Sequence, residues 1–155
     1  MSEKTTAVSA WEALFRAQVA VMRQLNAEFP TGEISFTEYD VLFNLSRQPA
    51  RQLRIKDLNQ HILLTQPSVS RLVDRLAARE LVVKIHDPDD ARGVLVRLTD
   101  KGFQVFRQAA VSHVRSITDR VGTALSAEEL KQLVELCDKL RLGSRAKTGT
   151  ADADY

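Results

Sequence analysis

The sequence predicts a mainly α-helical protein with one small β-hairpin. Three observations carry that prediction. Apolar residues recur at helical spacing along most of the 155 residues. The period drops to two in one place only, on either side of the stretch HDPDDARG (His86 to Gly93). Two helical segments are joined by a tight connection around Ile62-Leu63-Leu64, with a hydroxyl residue, Thr65, placed to cap the second.

The elements follow in order. Trp11, Leu14, Phe15, Val19, Met22, Leu25 and Phe29 repeat over several turns, so residues 8–30 read as a long first helix, stopped by Pro30-Thr31-Gly32. Thr37, three residues before Asp40, suits the start of a second helix bearing Val41, Leu42 and Leu45, which Pro49 ends. A third helix spans about Ile55 to Ile62. Thr65 caps a fourth, which tolerates Pro67 in its first turn and turns Val69, Leu72, Val73 and Leu76 inward. Leu81 to His86 and Val94 to Leu98 alternate as two strands, joined by a loop longer than a tight turn needs. Thr99 caps a long helix with Phe103, Phe106, Ala110, Val114, Ile117 and Val121, which Gly122 interrupts. Ser126 and Glu129 form a capping box for a last helix carrying Leu130, Leu133, Val134, Cys137 and Leu140. Residues 143–155 are small and polar and are expected to be a disordered tail.

Composition narrows the function. Apolar residues are 44% of the chain and charged residues 27%, the balance of a soluble globular protein. The net charge is only +2, but Arg51 to Lys101 hold ten Lys and Arg against seven Asp and Glu, a local basic bias that suits a polyanion and equally a solvated face. One cysteine excludes an internal disulfide. No apolar run is long enough to span a membrane and no signal peptide precedes the first helix, so a cytoplasmic protein with no membrane partner is expected. The sequence shows no nucleophile–base arrangement and no phosphate loop. His61, His86 and His113 share no ligand spacing. Neither an enzyme, nor a metal site, nor a cofactor is expected.

Helix, helix, tight turn, helix and then a hairpin is the order of a winged helix-turn-helix, placed at residues 35–99. With its apolar stripe inward, the fourth helix turns Pro67, Ser70, Arg71, Asp74 and Ala78 outward, with Ser68 and Arg75 on the flanks. Small residues let such a face approach a major groove, and arginine can bond guanine bidentately. Hydroxyls near the helix start, with Thr65 and Gln66, can hold phosphates. Arg92 stands at the loop tip, where a long cation reaches a minor groove, and Asp90 is placed to pair with its guanidinium. Candidate DNA-binding residues are therefore Thr65, Gln66, Pro67, Ser68, Ser70, Arg71, Arg75, Asp90 and Arg92.

Leu64-Thr65-Gln66-Pro67-Ser68-Val69-Ser70-Arg71-Leu72-Val73-Asp74-Arg75-Leu76 resembles the recognition-helix region of the multiple antibiotic resistance regulator (MarR) family. Asp87-Pro88-x-Asp90-x-Arg92 and Val96-x-Leu98-Thr99-x-x-Gly102 resemble that family's wing. The resemblance covers the helix order from about residue 8 to 141. It implies a homodimeric DNA-binding transcriptional regulator, with the recognition helix in the major groove and the wing arginine in the minor groove. The sequence departs from the pattern at three places: Leu63 and Glu80 stand where glycine is frequent, and Ala91 where a second arginine is frequent.

The first helix and the helices within 100–141 each carry an apolar stripe that a three-helix core cannot cover, so these segments are expected to form a homodimer. A two-fold dimer sets two recognition helices about one DNA turn (~34 Å) apart and predicts a pseudo-palindromic site in double-stranded DNA. The resemblance further implies an effector pocket between the dimer helices and the DNA-binding lobe, for a small aromatic or phenolic ligand. Trp11, Phe15 and Arg16 can supply stacking and a carboxylate partner, with His113 a further candidate. Trp11 and Phe15 equally suit a dimer core and Arg16 the surface. Cys137 falls in the apolar phase of its helix, which reads as packing rather than redox sensing. The resulting expectation is a repressor released by a small-molecule effector. The alternative is a winged-helix protein-interaction module without DNA binding, and the salt dependence of duplex binding separates the two.

Overall fold

In the computed structural model the chain runs α1 (Glu3–Glu28), α2 (Phe36–Ser46), a 3₁₀ turn (Pro49–Arg51), β1 (Gln52–Arg54), α3 (Ile55–His61), α4 (Gln66–Ala78), β2 (Val82–His86), β3 (Val94–Leu98), α5 (Asp100–Ile117), a π-helical turn (Thr118–Gly122) and α6 (Ala127–Thr148). The structure describes residues 3–148 other than Thr31, Leu63 and Thr65; the side chains of Glu3, Gln66 and residues 144–148 also lie outside that description. The described chain forms two compact units, Met1–Val114 and Arg115–Tyr155.

In the first unit the core is the inner face of the helix-turn-helix closed by the wing. Val41, Leu42 and Leu45 of α2, Leu58 of α3, and Val69, Leu72, Val73 and Leu76 of α4 are buried together with Leu81, Val82, Val96 and Leu98. The i, i+3, i+4, i+7 stripe of α4 is thus buried throughout, which fixes its opposite face outward. The sheet is antiparallel in the order β1-β3-β2, with Val82 opposite Leu98 and Lys84 opposite Val96. Its third strand was not expected from the sequence. Gln52-Leu53-Arg54 is too short to show alternation and gains its ladder from Leu95, Val96 and Arg97, more than forty residues away.

The cap of α2 also differs from the expectation. Ser35, not Thr37, is the N-cap. Its hydroxyl accepts the Glu38 N–H at 3.2 Å and the Glu38 carboxylate accepts the Ser35 N–H at 2.9 Å. The box therefore begins two residues earlier and pairs with Glu38 instead of Asp40. Glu38 is buried and is also ion-paired at 3.2 Å with Arg79, whose guanidinium donates to the Glu33 carbonyl as well. The residues after α4 are thereby tied to the start of α2.

Ala50, Arg51 and Glu80 adopt left-handed backbone angles (φ 53°, 52° and 60°). Such angles are costly for residues with a Cβ and persist where contacts over-determine them. Arg51 stacks its guanidinium 3.8 Å from the Phe103 ring centroid and pairs with Asp100 at 3.6 Å. Glu80, at a position where the family resemblance leads one to expect glycine, is held by the Thr99 hydroxyl, which donates to its carbonyl at 2.7 Å.

In the second unit α6 opens on the expected capping box: the Ser126 N–H donates to the Glu129 carboxylate at 2.8 Å. The helix does not stop before Gly143 but continues to Thr148, which corrects the expectation of a disordered tail over that part. One interior glycine costs about 1 kcal/mol, and Arg145, Ala146 and Lys147 are good helix formers that restore it. Residues 149–155 of the expected tail lie outside the described residues. Cys137 is exposed, as are Leu133, Val134, Leu136, Leu140 and Leu142. Its apolar phase does not bury it within the chain, because that stripe of α6 is uncovered.

Candidate nucleic-acid interface

Burial of the α4 stripe presents Pro67, Arg71, Asp74, Arg75 and Ala78 to solvent, with Ser68 and Ser70 half-buried beside them. Thr65 lies outside the described residues, as does the Gln66 side chain. Asp74, the one carboxylate on this face, is paired with Lys84 Nζ of β2 at 2.5 Å. That pair consumes the negative charge and braces α4 against the wing. Among the described residues neither Arg71 nor Arg75 has an ion-pair partner, so both guanidinium groups are free to meet an anion or a base edge.

The wing loop is folded by its aspartates. Asp87 N–H donates to the Gly93 carbonyl (3.0 Å) and Gly93 N–H to the Asp90 carbonyl (2.9 Å). Asp90 Oδ1 accepts the Arg92 backbone N–H at 3.0 Å. The sequence suggested that Asp90 would grip the guanidinium; in the structure it fixes the backbone beneath the side chain, the commoner use of an aspartate two residues earlier in a turn. The Arg92 side chain is exposed at the tip and, among the described residues, unpaired.

Asp87 is buried. Its Oδ1 accepts the Asp89 N–H at 2.9 Å, and its Oδ2 lies 2.5 Å from Arg54 Nε, an ion pair off the hydrogen-bonding axis. The Asp89 N–H and then the Arg54 guanidinium hold this carboxyl below the usual carboxylate range, against the opposing effect of burial. A Cβ at Gly93 would stand 3.0 Å from Asp87 Cβ and 3.1 Å from its Oδ2, so a larger residue would press on the carboxylate. Sequence reasoning assigned nothing to Arg54 or Lys56 and read Asp87 only as part of the wing motif, because the contact with Arg54 joins residues 33 positions apart.

The effector candidates do not converge. Trp11 and Phe15 are 61% and 52% exposed and face each other with ring centroids 5.9 Å apart; Arg16 is exposed beside them. His113 is 7% exposed and packs edge-on against Phe29, Phe36 and Tyr39, at 5.5, 5.4 and 4.9 Å. Phe29 follows α1 and Phe15 lies within it, about 20 Å back along the helix at 1.5 Å per residue. Burial pushes the His113 imidazole below its ordinary pKa, and its Nδ1 has no hydrogen-bond partner among the described residues. Beside this cage a cleft of about 480 Å³ is lined by Asn26, Phe29, Glu33, Ser35 and Phe36 among others. No helix among the described residues is long and apolar enough to cross a membrane.

A helix with a cationic outward face, set beside a hairpin with an exposed arginine at its tip, defines a winged helix-turn-helix DNA-binding protein. Residues 33–93 match the sequence profile of the MarR family. The chain is 30% identical over 109 residues to YkoM of Bacillus subtilis (strain 168), an uncharacterized HTH-type transcriptional regulator, covering 70% of this chain and 69% of that one. It superposes with a TM-score of 0.74 on the DNA complex of Sco3205, a MarR family transcriptional regulator from Streptomyces coelicolor, at 26% identity and covering 92% and 89% of the two chains. The PcaV transcriptional regulator of the same organism, solved with its natural ligand, gives 0.67 at 27% identity, covering 84% and 91%. The chain belongs to the MarR family of DNA-binding transcriptional regulators, which are not enzymes.

Proposed function

We propose that the protein is a homodimeric, cytoplasmic repressor that reads a pseudo-palindromic site in double-stranded DNA and is released by a small aromatic or phenolic ligand. The observation that carries the DNA-reading part is the pair of guanidinium groups, Arg71 and Arg75, with no ion-pair partner among the described residues, on the outward face of α4, next to exposed Arg92 on the wing. Arg71 and Arg75 read base edges in the major groove. Thr65, Gln66, Pro67, Ser68 and Ser70 set the start of the helix against the backbone, and Arg92, on the turn that Asp90 folds, enters the adjacent minor groove.

The dimer is supported by uncovered apolar surface on both units: Val8, Trp11, Phe15 and Met22 on one, Leu133, Val134, Leu136 and Leu140 on the other. Patches of this kind mark association surfaces. Release by a ligand is supported by the ligand-bound PcaV structure and by the aromatic-lined cleft near His113. A ligand with greater affinity for one spacing of the two DNA-reading lobes disfavours the DNA-fitting state by that difference in affinity.

Gel-shift titration with duplexes from the protein's own promoter tests the reading. Arg71→Ala is expected to weaken specific binding by about 1–3 kcal/mol with little change on random duplex, as for a base-reading arginine. Arg92→Ala is expected to weaken binding with the dimer intact. Undiminished affinity in both variants removes the assigned roles.

A further inference from the structure

The segment Gln66–Ala78 holds one acidic residue, Asp74. Pro67, Arg71, Asp74 and Ala78 stand at i, i+4, i+7 and i+11, opposite the buried stripe, so Asp74 lies on the centre line of the outward face of α4. Arg71 is three residues before it, roughly 4.5 Å along the axis, and Arg75 follows it directly. A carboxylate set between two cations, on a face that meets a polyanion, opposes binding. Its presence there needs a reason.

The fold does not supply one. Asp74 Oδ1 lies 2.5 Å from Lys84 Nζ on β2, with side chains 58% and 44% exposed. An ion pair this open to water contributes little to folding. The wing is fastened to α4 by other means: Leu81 and Val82 are buried in the common core, and the Leu81 N–H donates to the Leu76 carbonyl at 3.0 Å. What the pair does settle is the place of the lysine. Its ammonium is drawn against the carboxylate on the outward face of α4, close to whatever that face meets and already neutralised.

Sequence-independent binding to DNA depends on how many cations reach phosphates. A helix that enters a groove by its N-terminal turns brings residues further along its outward face level with the flanking backbone. A free ammonium at that level adds a contact; one held by Asp74 does not. We propose that Asp74 is a specificity-determining residue, which withholds Lys84 from the DNA backbone and so keeps sequence-independent affinity low. The inference rests on the DNA-reading function above. On the operator, base contacts fix the register of the helix, and a freed Lys84 gains only if a phosphate stands within reach. On random duplex nothing fixes the register, the complex settles where charges match best, and the freed cation acts in full.

The test is binding of the full-length protein to duplexes from its own promoter and to random duplexes across a salt series. Asp74→Asn keeps the shape of the side chain. It is expected to steepen the log–log salt slope on random duplex by about 0.9, which tightens that complex about eightfold at 0.1 M salt relative to a 1 M reference. Operator affinity rises less, so the ratio of operator to random affinity falls. Adding Lys84→Gln returns random-duplex slope and affinity to the wild-type values, since the pair is then removed with no change in net charge. Asp138→Asn breaks a similarly exposed pair on α6, with Arg141 at 2.9 Å, and is expected to leave slope and ratio unchanged. Circular dichroism melts of each variant establish that it is folded.

If Asp74→Asn leaves the random-duplex slope and affinity unaltered, the proposal is refuted while the DNA-reading function stands. A loss confined to the operator also overturns it, because Asp74 then reads a base, as a carboxylate does in accepting from cytosine N4. A double variant that keeps the gain of Asp74→Asn shows that the freed charge is not that of Lys84, with the same consequence. A wild type that shows no salt-dependent duplex binding removes both the proposal and the function beneath it.

Discussion

Replacing Gly102 by alanine is expected to destabilise the unit formed by residues 1–114, although alanine is the better helix former. Gly102 sits in the first turn of α5 without a positive φ, so propensity alone predicts a gain of about 1 kcal/mol. The tertiary structure reverses the sign. A Cβ there would lie 2.0 Å from the Leu81 carbonyl oxygen, 2.8 Å from its carbon and 2.9 Å from Leu98 Cδ1. Two of these atoms are backbone, and the closest contact needs about 1 Å of separation to reach even 3.0 Å, a shift in the range that costs overpacked cores roughly 1–3 kcal/mol. That movement also strains a shared knot of hydrogen bonds. The Thr99 N–H donates to the Leu81 carbonyl at 3.1 Å, its hydroxyl shares one proton between the Glu80 and Leu81 carbonyls at 2.7 and 3.0 Å, and the hydroxyl oxygen accepts the Gly102 N–H at 2.9 Å. Losing this cap costs about 1 kcal/mol more. Against the propensity gain the net loss is about 2 kcal/mol, which lowers the urea midpoint by roughly 1 M at a typical slope of about 2 kcal/mol/M. Protein concentration is held fixed in the assay so that any association contributes equally to both proteins. Gly143→Ala in α6, where an added Cβ meets nothing within 4 Å, is the matched control and is expected to stabilise its helix. A Gly102→Ala protein as stable as the parent, or more so, would refute the argument that backbone contact rather than helix propensity selects glycine here.

Two further outcomes follow from the same structure. Trp11→Glu is expected to shift sedimentation from dimer to monomer, since covering the exposed part of this ring is worth about 3 kcal/mol per protomer; a dimer unchanged at low micromolar concentration removes α1 from the interface. His113 is neutral and caged by aromatic rings, with its pKa depressed below 6.5 by burial. The unfolded chain therefore takes up this proton first, so its stabilising contribution is complete above about pH 6.5 and is lost as pH falls through the lower folded value. Urea midpoints between pH 7.5 and 5.5 should decline in the parent and decline less in His113→Phe; parallel curves contradict the assignment of that slope to His113.

Much of the fold was legible because it is written in local spacing. The stripe Val69, Leu72, Val73 and Leu76 told which way α4 faces, and so which residues it turns to solvent. The change to period two at Leu81 marked the wing, and Ser126 and Glu129 marked the start of α6. The misses have a common cause. Ser35 and Thr37 are both competent caps, and the choice fell to Ser35 because Glu38, its partner in the box, is also held by Arg79 from the residues after α4. Strand β1 has no periodicity of its own and exists because β3 supplies its ladder.

The amino-acid sequence by itself determined the order of helices, the wing and the cationic outward face of α4, since each depends on residues three, four or two positions apart. Only the tertiary structure decided that Asp74 is neutralised by Lys84, that Asp90 folds the wing backbone rather than gripping Arg92, that Asp87 is buried against Arg54, and that His113 lies in a cage away from Trp11 and Phe15. The reason is physical. Periodicity records which side of an element meets the core, but a charge takes its partner from whatever element packs beside it, and that neighbour is settled only when the chain has folded.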